Sequence, residues 1–274
     1  MNELLTNPVF QAAFVPFVAA LIAGLILNRL GWYWAGLTIV TGFIACAWLI
    51  TDLKLFPLSG TRKIILLGLV AIIIGAVLDV YARARRFMPI ILAICGAGAA
   101  LWVVWPVLTR KEGMEFWLLA IGVSAYVGWL MAAMERLRDK PIRAGSAALS
   151  LGVGTGVSAV MGASALLGQL ASSIAAASGA YLLLAVFLTK QPAGSLLTTP
   201  VTLLLGLFGV AGHVYATLPW YALPLLAIIP PLACIPLPEE KPNWLKIMLL
   251  TLITIPAAAA AIFITWRVEG APPI

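Results

Sequence analysis

Residues 145–170 read GSAALSLGVGTGVSAVMGASALLGQL, an uncharged stretch near the middle of a 274-residue chain, built largely of Gly, Ala and Ser. At helical spacing its small residues form two neighbouring ladders: Gly152, Gly156, Ser164 and Gly168 on one, and Ser150, Gly154, Ser158 and Gly162 on the other. Such ridges let a second backbone come close. In lipid, burying apolar surface gives helices little reason to associate, and close packing between small residues holds a bundle together instead. The stretch therefore predicts a central, tightly surrounded helix with Gly152, Gly154, Gly156, Ser158, Gly162 and Gly168 as its packing surface.

The rest of the chain supplies the surrounding helices. It is 63% hydrophobic and 10% charged, with a mean hydropathy of +1.07, whereas soluble domains are about a quarter charged. Apolar runs recur with short breaks, each near the roughly 20 residues a helix needs to cross the hydrocarbon core. Ten spans are expected, approximately at 9–28, 31–51, 64–81, 88–109, 116–134, 145–168, 172–189, 196–216, 219–236 and 244–266. The sixth and seventh form one continuous apolar stretch, as do the eighth and ninth. Each stretch is too long for a single crossing and is divided at Gln169–Ser173 or Thr217–Pro219.

The fold class is thus all-α: one polytopic membrane bundle over residues 1–274, with halves 9–134 and 145–266 joined by the basic loop ERLRDKPIR. Five spans per half would make the halves inverted, a plan used by secondary transporters with a site at the repeat interface. Span count and two-half plan resemble those of the drug/metabolite transporter superfamily. The likeness is one of architecture alone.

Lys and Arg on alternate loops divide eleven to six. The positive-inside rule then puts both termini outside the cytoplasm, in what we read as a bacterial inner membrane. Tryptophans near the span ends, including Trp32, Trp34, Trp102, Trp105, Trp117, Trp129, Trp220, Trp244 and Trp266, fit an interfacial belt. Glu3 and the lack of Lys or Arg before the first run argue against a cleavable signal peptide, so that run is expected to stay as an anchor.

The net charge of +7 sits in short clusters at span ends. These read as topology signals touching lipid headgroups, and no extended basic surface for nucleic acid is expected. Cys46, Cys95 and Cys234 lie in apolar runs without CxxC spacing and are expected to be small buried packing residues. The single histidine excludes a bis-His haem within the chain. Without HExxH or paired intramembrane acids, neither a metal, a cofactor nor enzymatic activity is expected.

Ionisable residues inside a membrane are functional candidates because burying their charge is costly. Two qualify: Asp79, expected to pair with Arg83 one turn on, and His213, beside Tyr215, Trp220 and Tyr221. Pro219, Pro224, Pro230, Pro231, Pro236 and Pro238 must interrupt the ninth span, because proline lacks a backbone donor. Broken helices at membrane depth are tolerated against protein or a wet cavity. Tyr126, Thr155, Ser158, Thr202 and Pro224 are the residues expected to line such a cavity. Two functional readings follow. One is a permease for a neutral or amphipathic small molecule; the other is a non-catalytic subunit or scaffold of a larger membrane complex. Expected partners are membrane lipid and either further copies of the chain or other membrane subunits.

Overall fold

The computed structural model describes residues 7–30, 32–51, 56–81, 87–162, 164–188, 193–238 and 240–270. Among them the chain is helical throughout, with no strand, and nine helices are long and apolar enough to cross a membrane. These are α1 (Phe10–Leu30), α2 (Thr38–Thr51, entered through a 3-10 turn at Trp32–Leu37), α3 (Gly60–Tyr81), α4 (Met88–Leu108), α5 (Gly113–Glu135), α6 (Pro141–Met161), α7 (Ala165–Phe187), α8 (Gly194–Tyr215) and α11 (Asn243–Glu269). Between the last two lie short helices α9 (Ala222–Ala227) and α10 (Ile229–Ala233).

Close contacts fix the direction of each helix. Gly154 of α6 packs on Ala258 of α11, and Ser150 hydrogen-bonds Thr254, 2.7 Å away. The two helices therefore run parallel. Asn243, at the start of α11, donates to Ala185 O near the end of α7 (3.0 Å). Gly60 at the start of α3 meets Tyr215 at the end of α8, and Gly75 near its other end meets Ser195 and Leu196, so α3 and α8 are antiparallel.

The short helices complete a tenth crossing. Just before α9, the Thr217 amide donates to Gly162 O at the end of α6 (3.1 Å). After α10, Arg143 Nη1 near the start of α6 donates to Ala233 O and Cys234 O at 3.3 and 2.7 Å. Arg143 and Gly162 stand about 28 Å apart at 1.5 Å rise per residue, close to the roughly 30 Å of a hydrocarbon core. The segment 218–234 thus traverses the bundle, and Asn7 and Gly270 lie on the same face.

The small-residue stretch behaves differently from the single helix expected of it. It bends at Gly162–Ser164 into the α6–α7 hairpin, so Gly168 faces Gly156 instead of extending its ladder. The chain turns as soon as α6 has crossed, because an apolar run this long cannot remain one span. A Cβ on Gly152 would lie 2.9 Å from the Ala175 amide nitrogen, and one on Gly156 would collide with Ser172. The second ladder, through Ser150 and Gly154, faces α9 and α11. The two expected faces exist, each with its own partner.

The innermost helix is α8 rather than α6: every residue from Ser195 to Gly212 is buried. It lies against α3, α4, α5, α6 and α7, so the two halves interlock through it. Their packing differs in detail, since α11 lies along α6 whereas α5 lies against α4 and α8. Large apolar side chains cover the outside, Ile73, Ile94, Leu118, Phe187 and Leu252 among them, as a lipid-facing surface requires. Trp34, Trp102, Trp105, Trp117, Trp129, Trp220, Trp244 and Trp266 are also exposed there; the Trp32 side chain lies outside the described residues. Cys46 is buried, but Cys95 and Cys234 are exposed, correcting the expectation for two of the three.

Arg29, Arg136, Arg138, Lys140, Arg143, Lys241 and Lys246 belong to one face, hereafter the basic face. Arg62, Lys63, Arg110, Lys111 and Arg267 belong to the other. Lys54, the basic loop 82–86 and Lys190 lie outside the described residues.

Substituting leucine for Gly152 or Gly156 should destabilise the α6–α7 hairpin by about 1–3 kcal/mol or more, the range for overpacking a tight interface. Leucine at Gly98, where an added Cβ meets nothing within 4 Å, should leave stability unchanged. Denaturation of the purified protein in detergent measures the difference.

Candidate functional site

A groove of about 1000 Å³ runs between α5 and the broken pair α9–α10, with the end of α8 as its floor. Its origin is the proline pair. Pro230 and Pro231 occupy the positions whose amides would normally bond Leu226 O and Ala227 O, and proline has no N–H. The Ala227 carbonyl is captured instead by the indole Nε1–H of Trp129 on α5, at 3.0 Å. An unsatisfied carbonyl in lipid costs several kcal/mol, so this cross-helix bond fixes where the broken segment stands against α5. The other end of the break is capped by Arg143.

The walls are mostly apolar, with Leu118, Val123, Leu223 and Pro224 among the lining residues. Leu118, Trp129, Trp220 and Pro224 are exposed on the outer surface of the bundle, so the groove is reached sideways from the lipid. At its mouth, on the face opposite the basic one, Lys111 pairs with Glu115 at 2.8 Å. Two polar side chains, Tyr126 and His213, belong to its wall. Tyr126 is 7% exposed and its hydroxyl is buried without a hydrogen-bond partner among the described residues. His213 Nδ1 lies 2.8 Å from Leu218 O. A carbonyl only accepts, so Nδ1 carries the hydrogen, and in the neutral ring Nε2 is an acceptor.

Of the residues expected in a cavity, Tyr126 and Pro224 line this groove, joined by His213. Thr155, Ser158 and Thr202 do not; they are fully buried on α6 and α8, and their hydroxyls have no side-chain or backbone partner among the described residues.

Asp79 stands elsewhere, in a cluster at the basic face. Arg83 lies outside the described residues, and Asp79 instead accepts from Arg138 Nη2 at 3.0 Å. It also accepts the Ser195 and Leu196 amides, both at 2.8 Å. These are free N–H groups of the first turn of α8, where a carboxylate is favoured by the helix dipole.

Arg138 Nη1 reaches Glu135 Oε1 at 2.9 Å. Glu135 is only 2% exposed and also accepts from Ser195 Oγ (2.6 Å) and Thr198 Oγ1 (2.8 Å). Gly194 starts the helix with φ +65°, and a Cβ there would run into the Asp79 carboxylate. Its amide bonds Arg138 O at 2.9 Å. The cluster thereby ties together α3, the α5–α6 turn and α8.

Glu135 and Arg138 escape a reading of the sequence because they sit in ERLRDKPIR, where dense charge looks like a solvated topology signal. The visible clue was their i, i+3 spacing at the end of an apolar run, which places both on one side of a helix end. No feature of the sequence names Ser195 and Thr198 as their partners.

Gly194→Ala should cost more than 1 kcal/mol, because it combines a left-handed backbone position with a collision. Gly270→Ala is the control, since Gly270 also has positive φ (+81°) but open space around it. A comparison of unfolding midpoints separates the two effects. No protein-family model matches the chain, and no curated protein matches its sequence.

Proposed function

We propose that the protein is a permease-like carrier, resident in a cell's inner membrane with the basic face towards the cytoplasm, that takes a neutral or amphipathic small molecule into the α5/α9–α10 groove. The observation that carries this reading is the unpartnered, buried Tyr126 hydroxyl in the wall of an otherwise apolar groove. A buried polar group without a partner costs about 1–3 kcal/mol, and a ligand hydroxyl, carbonyl or ether would relieve that cost. With His213 Nε2 as acceptor, the groove offers one adaptable hydrogen-bonding group and one acceptor within apolar walls. That combination suits a molecule with an apolar body and an uncharged polar group. Lateral opening suits entry from the bilayer.

The groove contains no formal charge below the paired Lys111 and Glu115 at its mouth, which favours a neutral body over an ion. In this reading the protein binds and moves its ligand without covalent chemistry. A second reading, a non-catalytic subunit, is favoured by one observation: the groove is mostly apolar and exposed on the outer surface of the bundle, where a neighbouring chain could cover it. The first five and last five crossings then act as one scaffold.

Single cysteines in a background lacking Cys46, Cys95 and Cys234 separate the readings. In nanodiscs, cysteine at Pro224 should react with a water-soluble maleimide, and an amphipathic competitor should slow that reaction. Cysteine at Ser158 or Thr202 should stay protected. Equal protection of all three positions would remove the cavity and leave the subunit reading. Tyr126→Phe should weaken binding of a hydrogen-bonding ligand by about five- to tenfold, the worth of one neutral hydrogen bond, while leaving the fold unchanged.

A further inference from the structure

We propose that Glu135 is a proton-binding site, and that proton uptake there loosens the cluster that ties the α5–α6 turn to α8 at the basic face. The inference rests on the permease reading, because it supplies a closed face and a coupling ion for the groove that opens elsewhere.

The first observation is a count of charge. Asp79 and Glu135 are both hydrogen-bonded to one guanidinium, that of Arg138. Among the described residues no other cation is bonded to either carboxylate. Asp79 is further compensated by two amides at the start of α8. Glu135, deeper in the bundle, has only the hydroxyls of Ser195 and Thr198 besides its share of Arg138. Other charged groups near it in the chain, Arg136, Asp139 and Lys140, are exposed on the α5–α6 turn, and Asp139 Oδ1 lies 3.9 Å from Arg138 Nε. Of the helices packed around Glu135, α3 contributes Asp79, and α4 and α8 contribute no charge.

The second observation is that the hydrogen bonds can reverse without moving a heavy atom. Thr198 Oγ1 lies 2.8 Å from Glu135 Oε2 and 3.1 Å from Gly194 O. When Glu135 is ionised, Thr198 donates to Oε2. When a proton from the aqueous phase binds Oε2, that new O–H donates to Thr198 Oγ1. The Thr198 hydroxyl hydrogen then turns to Gly194 O, an acceptor already in place. Arg138 keeps its charge throughout and remains paired with Asp79, which is partly exposed and offers the proton a route from the basic face.

Neutral Glu135 still accepts from Arg138 through Oε1 but attracts it less strongly than the carboxylate does. The tie between the α5–α6 turn and the start of α8 then rests on the Arg138–Asp79 pair, the amides that Asp79 accepts and the Gly194 amide bond to Arg138 O, so the helix ends at the basic face part more readily. In that sense the proton acts on the face opposite the groove mouth, as alternating access requires.

The test uses the full chain in nanodiscs without any transported molecule, so it stands apart from the cysteine test of the groove. Infrared difference spectra are recorded from neutral to acid pH, through the ordinary carboxylate range, and read for the carbonyl stretch of a protonated carboxylic acid. A titrating band is expected that disappears in Glu135→Gln and persists in Asp79→Asn. Ser195→Ala removes a donor to the ionised form, so it should move the midpoint to higher pH. This variant keeps the test open if Glu135→Gln does not fold.

In parallel, the reactivity of Thr199→Cys towards a thiol reagent added from the basic face should rise at least tenfold, relative to Lys140→Cys, as the band appears. A band that survives Glu135→Gln, a midpoint unmoved by Ser195→Ala, or Thr199→Cys reactivity that ignores the band would each overturn the proposal.

Discussion

A single guanidinium is shared by two carboxylates at the basic face, and much of the bundle is registered on that arrangement. Arg138 bonds Asp79 and Glu135, while the first turn of α8 supplies the remaining donors through the Ser195 and Leu196 amides and the Ser195 and Thr198 hydroxyls. Buried ions are costly to desolvate and are retained only where nearly every lone pair is satisfied. Satisfying them fixes the start of α8 in both position and rotation. Because α8 is enclosed along its whole apolar length, its placement sets the helices around it and the floor of the groove at its far end.

A second constraint, the demand of lipid that every backbone carbonyl be bonded, shapes the groove itself. Pro230 and Pro231 break the ninth crossing by removing the usual amide donors to Leu226 O and Ala227 O; Trp129 bonds Ala227 O instead, and Arg143 caps the end of the segment. The chain thus tolerates a break only where α5 and α6 supply donors. The space left beside that break is the groove lined by Tyr126 and His213. The ionic cluster at one face and the groove that opens towards the other are the two features on which the proposed carrier reading rests.

How much of this was legible in the sequence differs from element to element. The ten crossings follow from apolar run lengths, and the interrupted ninth from its prolines, since both depend on local chemistry. The two small-residue ladders also predicted two packing faces on α6. Where the stretch bends was not legible: Gly162 turns because Thr217 and the start of α7 meet it, a contact between distant parts of the chain. Glu135 was hidden for the same reason. Its partners on α8 lie some sixty residues away, and charge density alone made its loop look solvated. Tyr126 and Pro224 were picked for polarity and helix breaking, and both line the groove. Thr155, Ser158 and Thr202 share that polarity but point into tightly packed helix contacts, which composition does not distinguish.

The central claim is that this chain carries its function in its own groove. It is tested most directly by extracting the protein from its native membrane into nanodiscs, without detergent exchange, and identifying by mass spectrometry whatever accompanies it. The account expects recovery alone or with copies of itself, together with a small amphipathic molecule whose retention falls in Tyr126→Phe. Stoichiometric recovery with different chains, cross-linked to α5 at Leu118 or to α9 at Pro224, would contradict it and identify the groove as the seat of a neighbouring subunit.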